Sequence, residues 1–106
     1  MLYELRTYNA APGKIDALNA RFRDHTCGLF AKHGIGVAGF WINRADPNQL
    51  IYICTFEDAA QMESAWASFR DDPDWQKARA ESERDGSLVS SIESVVMDPT
   101  DYSRMV

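Results

Sequence analysis

The segment Gln49 to Phe56 constrains the fold of this chain more than any other. It reads Gln-Leu-Ile-Tyr-Ile-Cys-Thr-Phe, with apolar side chains at odd and even positions alike. Successive side chains of a strand point to opposite faces of the sheet. A strand apolar on both faces must therefore be covered on both. Helices from the same chain can cover one face, but the other needs a further layer.

The remaining sequence supplies helices for one face only. Residues 2–9, rich in Tyr, Leu and Thr, predict a first strand. Alternation sends Tyr3, Leu5 and Thr7 one way and Leu2, Glu4, Arg6 and Tyr8 the other. Pro12-Gly13 breaks this strand. From about Pro12 to Lys32 apolar residues recur at helical spacing (Ile15, Leu18, Phe22, Leu29, Phe30), with His25 and Thr26 filling the gap in the stripe. Gly34 suits the left-handed position that ends a helix. A second strand follows over 35–44, and Asp46-Pro47-Asn48 makes the turn into the doubly apolar third strand. Asp58 and Gln61 have capping-box spacing and open a helix with the stripe Met62, Ala65, Trp66 and Phe69. Asp72-Pro73 restarts it, Asp72 as cap and Pro73 at the first position, and Trp75 anchors a polar helix ending near Gly86. Residues 87–97 form the last strand, and Pro99 begins a short tail.

The order is β-α-β-β-α-β. Right-handed crossovers fold it into a four-stranded antiparallel sheet with both helices on one face, an α+β, ferredoxin-like fold. The bare face would carry Tyr, Trp and aliphatic side chains, too apolar to leave wet. A second copy of the chain covers it best, which predicts a two-fold homodimer, a dimeric α/β barrel. The 106 residues predict one domain, 1–106, with a core over about 2–97 and a tail over 98–106.

Composition narrows the partners. Eleven basic against sixteen acidic side chains leave a net charge of −5, which repels phosphate backbones and argues against nucleic acid. No apolar run approaches the ~20 residues of a membrane helix, and no basic-then-apolar leader precedes the first strand. Cys27 and Cys54 lack metal-type spacing, which predicts a reduced pair of thiols in a cytoplasmic protein. No Gly-rich phosphate loop and no Gly-x-Ser-x-Gly elbow occurs, so no nucleotide, flavin or nicotinamide cofactor is predicted.

Several residues could carry chemistry. His25 and His33 are the only side chains with an ordinary pKa near neutrality. On a helix they would sit ~80° apart. His25 falls in the apolar stripe, as a satisfied core histidine or a polar group in a cavity, and His33 could serve as a cation at a helix C-terminus. His-Glu-x-x-His is absent, and no metal site is predicted. Arg6 shares a strand face with Glu4. It could pair with Glu4, with Glu93 of the last strand or with a second subunit, or it could clamp a carboxylate ligand. A structural pair, with Glu93 as the expected antiparallel neighbour, is favoured over the clamp, because a charge on a covered central strand needs a partner. Tyr8, Trp41, Tyr52 and Trp66 would line the space between sheet and helices, as core or as the wall of a ligand cavity. Arg6, Tyr8, His25, His33, Trp41, Tyr52 and Trp66 are thus the ligand-binding candidates, and no catalytic pair at a defensible spacing stands out.

Five short signatures recur in order: Tyr3-Glu4-Leu5-Arg6-Thr7-Tyr8, Pro12-Gly13-Lys14, His33-Gly34-Ile35, Gly39-Phe40-Trp41 and Asp72-Pro73-Asp74-Trp75. Together they resemble the NIPSNAP family, from Tyr3 to about Met97. The resemblance implies the same ferredoxin-like, dimeric α/β-barrel fold. In the wider fold group it implies cavities that take flat organic molecules, including haem and polyketide-like aromatics. Tyr52 and Cys54 stand where the family often has His and Trp, which weakens any transfer of a ligand role to that strand. The reading is a homodimeric protein that binds a small hydrophobic or aromatic molecule. The alternative is a cofactor-independent monooxygenase or isomerase acting on a hydrophobic carbonyl or aromatic substrate.

Overall fold

The computed structural model describes Met1–Met105. Four strands, β1 (Leu2–Ala10), β2 (Gly36–Ile42), β3 (Gln49–Phe56) and β4 (Val89–Met97), form one antiparallel sheet in the order β2-β3-β1-β4. Helices α1 (Ile15–Arg21) and α2 (Cys27–Lys32), joined by a π-helical turn (Phe22–Thr26), lie between β1 and β2, while α3 (Ala59–Asp71) and α4 (Pro73–Ser82) lie between β3 and β4. This is the ferredoxin-like β-α-β-β-α-β arrangement, and the order of elements is the one that hydrophobic periodicity predicts. Among the described residues no helix is long and apolar enough to cross a membrane.

Burial in β3 alternates without a break. Leu50, Tyr52, Cys54 and Phe56 are buried, whereas Ile51, Ile53 and Thr55 are only partly so. The first set meets Leu18, Phe22, Phe30, Ala65 and Phe69 of the helices in a single core. The second set lies on the sheet face that no helix covers. Near its Tyr3 end the C-terminal tail lies against this face, and Tyr3, Ile53, Met97, Pro99 and Met105 line a hollow there of about 280 Å³.

The helix boundaries follow local chemistry. Asp58 Oδ1 accepts the Gln61 backbone N–H at 2.8 Å, and the Gln61 side chain reaches back to the Glu57 N–H at 3.1 Å. Asp72 Oδ1 caps α4 through the Asp74 N–H at 2.8 Å, with Pro73 in the first turn. Gly34, at φ +75°, supplies the left-handed residue after α2. The first helix starts at Ile15 rather than at Pro12, because Pro12-Gly13 is used up in a turn where Gly13 takes φ +74°. Similarly α4 ends at Ser82, and Gly86 lies in the loop at φ +111°.

Two irregularities rotate side chains away from the faces that plain periodicity assigns. The π-helical turn fits an extra residue into the first helical segment. It turns Thr26 inward, where its hydroxyl donates to the Arg21 carbonyl at 3.3 Å, and leaves His25 exposed. His25 is therefore not in the core stripe. In β2 the register with β3 slips between Val37 and Gly39. Unbroken alternation from the buried Ile35 would turn Trp41 toward the helices. The extra residue at Ala38 reverses every side chain beyond it. Phe40 now packs on Phe22 and Tyr52, and Trp41 stands on the uncovered face, 51% exposed. Its indole lies across Gly39, where an added Cβ would come within 2.8 Å of the ring.

Candidate functional site

Glu4, Arg6 and Tyr8 point from β1 toward the helices, and register places Tyr52 of β3 directly across from Arg6. The Arg6 guanidinium donates to three acceptors at once: Tyr52 Oη from Nε at 2.9 Å, Glu4 Oε2 from Nη1 at 2.9 Å and Tyr8 Oη from Nη2 at 3.1 Å. Tyr52 in turn donates to Tyr8 Oη at 3.0 Å. Glu4 receives two more bonds, from Trp66 Nε1 at 2.7 Å and from Ser94 Oγ at 2.6 Å. The Trp66 ring lies 4.5 Å from the guanidinium carbon, a cation–π contact. A charged pair that would be costly in a helix-covered layer is thus held by hydrogen bonds at almost every valence.

Protonation follows from these contacts. Burial pushes the Glu4 carboxyl up, but hydrogen bonds from Ser94, Trp66 and Arg6 outweigh it and hold the group below its usual value. Burial works against the Arg6 charge, yet Tyr52, Tyr8 and Glu4 raise its pKa further still. Burial, then the proximity of Tyr8, raise Tyr52 well above its ordinary value. Burial likewise pushes the Cys54 thiol up to about 12. At neutral pH the set is Glu4 ionised, Arg6 charged and Tyr52 protonated.

A cleft of about 600 Å³ opens beside this network, between β1 and β4 on one side and the helices on the other. Part of its wall is aromatic, formed by Tyr8, Phe22, Phe30, Trp66, Phe69 and Trp75, and the rest is largely polar and charged, from the arginines and glutamates of β1 and the helical segments and the serines around the start of β4. Tyr8 contributes more than its ring. Its hydroxyl accepts from Arg6 and from Tyr52, which fills both lone pairs. Its own proton has no acceptor among the described residues.

Four of the seven candidate residues, Arg6, Tyr8, Tyr52 and Trp66, converge here. The other three do not. His25 is on the surface and Trp41 on the opposite sheet face. His33 sits at the end of α2, hydrogen-bonded through Nδ1 to the Ser68 hydroxyl, with Nε2 donating to Asp72 Oδ2 at 2.6 Å. Asp72 also pairs with Lys32 at 2.8 Å, so two of the short signatures, His-Gly-Ile and Asp-Pro-Asp-Trp, meet at a structural junction between helices. Glu93 is not the partner of Arg6: it stands opposite Thr7 and points to the other face, whereas Ser94 stands opposite Arg6.

Periodicity gave no role to Arg21, which the structure buries at the cleft wall. Nη1 donates to Ser82 Oγ at 3.2 Å and to Glu83 Oε1 at 3.4 Å, and the guanidinium carbon lies 5.2 Å from the Trp75 ring. Its position three residues after Leu18 and one before Phe22 was the available signal, since it puts a cation at the edge of the apolar stripe.

Fold and site together define a ferredoxin-like α+β protein with an aromatic cleft and a buried Arg–Glu–Tyr network under it. The chain belongs to the NIPSNAP family, whose model matches residues 3–104. Two crystal structures of Atu4242, a NIPSNAP family protein of Agrobacterium tumefaciens, share 25% identity at a TM-score of 0.86, over 100% of this chain and 100% or 94% of the other. A NIPSNAP domain protein of Burkholderia xenovorans superposes at a TM-score of 0.84 with 21% identity, over 97% of this chain and 98% of that one. More distantly, a putative antibiotic biosynthesis monooxygenase of Nitrosomonas europaea shares the fold at a TM-score of 0.67 and 10% identity, over 93% of this chain and 98% of that one. No curated protein matches the chain.

Proposed function

We propose that this protein binds a small, flat, largely apolar molecule in the cleft between sheet and helices, and does so as a homodimer. The cleft carries the reading. A partly aromatic wall encloses about 600 Å³, a size typical of small-molecule sites, beside a polar network that is already satisfied. The Tyr8 hydroxyl remains to orient a carbonyl or similar acceptor. Glu4, Arg6 and Tyr52 are locked in single protonation states, which suits a preformed binding site better than acid–base catalysis at neutral pH.

The dimer reading is supported by the uncovered sheet face, where Trp41 and Val95 are 51% and 53% exposed beside Ile51 and Ile53. A stable interface there would remove at least about 2,000 Å² from water. Cys27 and Cys54 form no disulfide, which supports a reducing, cytoplasmic setting.

Native mass spectrometry of freshly purified protein tests both parts. The expected result is a species of twice the 12.0 kDa chain mass, carrying a small organic ligand that leaves on denaturation. A bare monomer would overturn the proposal. A second reading, a cofactor-independent monooxygenase or isomerase, draws on the fold shared with the Nitrosomonas protein. It predicts oxygen uptake or isomerised product with an aromatic ketone or phenol, and loss of that activity in Tyr8→Phe.

A further inference from the structure

We propose that the cleft selects a planar organic carboxylate, gripped by the unpartnered edge of Arg21 while its apolar body lies along the aromatic wall. This deepens the binding reading above and rests on it.

Charge is the first observation. Four arginines (Arg6, Arg21, Arg70, Arg79) and two glutamates (Glu4, Glu83) line the cleft, a surplus of two positive charges. The whole chain carries a net charge of −5, so the cleft stands out in sign from the surface around it. A concave, partly apolar site focuses such a field and draws anions in.

Arg21 is the second. The residue is only 6% exposed, and its Nε is buried with no hydrogen-bond partner among the described residues. Buried donors without acceptors are rare because each loses its hydration for nothing. Burial also lowers the pKa of Arg21, against the partial support of Glu83, so an added anion would restore what the site now withholds. Nη1 is already engaged by Ser82 and Glu83, and Trp75 covers one face of the guanidinium. What remains is the edge that Nε shares with Nη2. Nε is closed off from solvent, so a carboxylate meets Nη2 first and pairs with both parallel N–H groups once the guanidinium shifts toward the cleft.

Arg6 does not compete for the role, because Glu4, Tyr8 and Tyr52 already occupy it. Arg79, whose side chain is 61% exposed, stands at the mouth and steers rather than grips. The ring faces and edges of Trp66 and Trp75 offer an aromatic body contacts that a compact inorganic ion cannot use.

The test uses calorimetric titration of the intact protein with 2-naphthoate, its neutral counterpart 2-naphthamide, and inorganic phosphate. Naphthoate should bind about tenfold or more tightly than the amide, the usual size of a charge-assisted bond. Arg21→Gln should erase most of that preference, and Arg79→Gln should weaken naphthoate about two- to threefold. The acid–amide comparison on the unaltered protein keeps the test valid if Arg21→Gln does not fold. Equal affinity for acid and amide would overturn the carboxylate assignment while leaving a binding cleft in place. Preference retained in a folded Arg21→Gln protein would overturn the role of Arg21, and displacement of naphthoate by equimolar phosphate would overturn the planar selectivity. Binding of neither probe would overturn the inference, and, if native spectra also show no ligand, the binding reading with it.

Discussion

The two faces of the sheet each depart from ordinary expectation, in opposite ways. The face covered by helices buries a charged pair, Glu4 and Arg6, among its core side chains, while the uncovered face presents Trp41, Ile53 and Val95. Each is tolerable for a different reason. On the covered face every charged atom has partners close at hand, and the tyrosine and tryptophan polar atoms complete the set. On the bare face nothing among the described residues offers cover beyond the tail at the Tyr3 end. A buried charge is a matter of local pairing, whereas an exposed apolar sheet face is solved only by another surface. The first is intrinsic to the monomer, and the second points outward.

Breaking the covered face should have the largest effect. Glu4→Ala would leave the Arg6 charge, Trp66 Nε1 and Ser94 Oγ without their shared acceptor. We expect a loss of about 3–5 kcal/mol, the usual cost of stranding one member of a buried pair. Urea unfolding would show it as a lower midpoint at unchanged slope. A loss under about 1 kcal/mol would mean that water replaces the carboxylate.

Trp66→Ala should come next, at about 2–3 kcal/mol, just under the usual range for large buried aromatics because the ring is only half-buried and borders the cleft. Trp66→Phe, which keeps the ring stack on Phe30 and loses only the bond to Glu4, should cost about 1 kcal/mol. Equal losses in the two variants would assign the whole contribution to the hydrogen bond.

The bare face should respond in assembly rather than in folding. Val95→Asp should change unfolding of the isolated chain by no more than about 0.5 kcal/mol, as at other exposed positions. The same change should halve the mass measured by light scattering at micromolar concentration. An unchanged mass would move the dimer interface elsewhere and remove the contrast between the faces.

Asp72 gives the smallest and the most pH-dependent effect. Lys32, then His33 and the Asp74 N–H, hold its carboxyl well below the ordinary carboxylate range. A depressed folded value stabilises above the unfolded one and loses that contribution as pH falls through the folded one. Asp72→Asn should therefore lie below wild type at pH 7, with the gap closing below about pH 4. A gap that stays constant into acid would mean that capping by the neutral side chain, not charge, accounts for it.

The sequence by itself determined the order of elements, the strand limits of β3, the caps at Asp58 and Asp72, and the family. These are set by neighbours a few residues apart: alternation, helical spacing and short turns act over the distances that sequence displays directly. It also named Arg6, Tyr8, Tyr52 and Trp66 among seven ligand-binding candidates. Their convergence was decided only in three dimensions, because Arg6 and Tyr52 lie 46 residues apart and meet through strand register. Register likewise took Glu93 from Arg6 and gave it Ser94. Trp41 and His25 were displaced by single-residue irregularities, a bulge at Ala38 and a π-helical turn, and no periodic rule locates either. Arg21 became a site residue for the same kind of reason. Its charge is visible in the sequence, but its burial against Trp75 and its unpartnered Nε exist only once α1 and α4 are packed together.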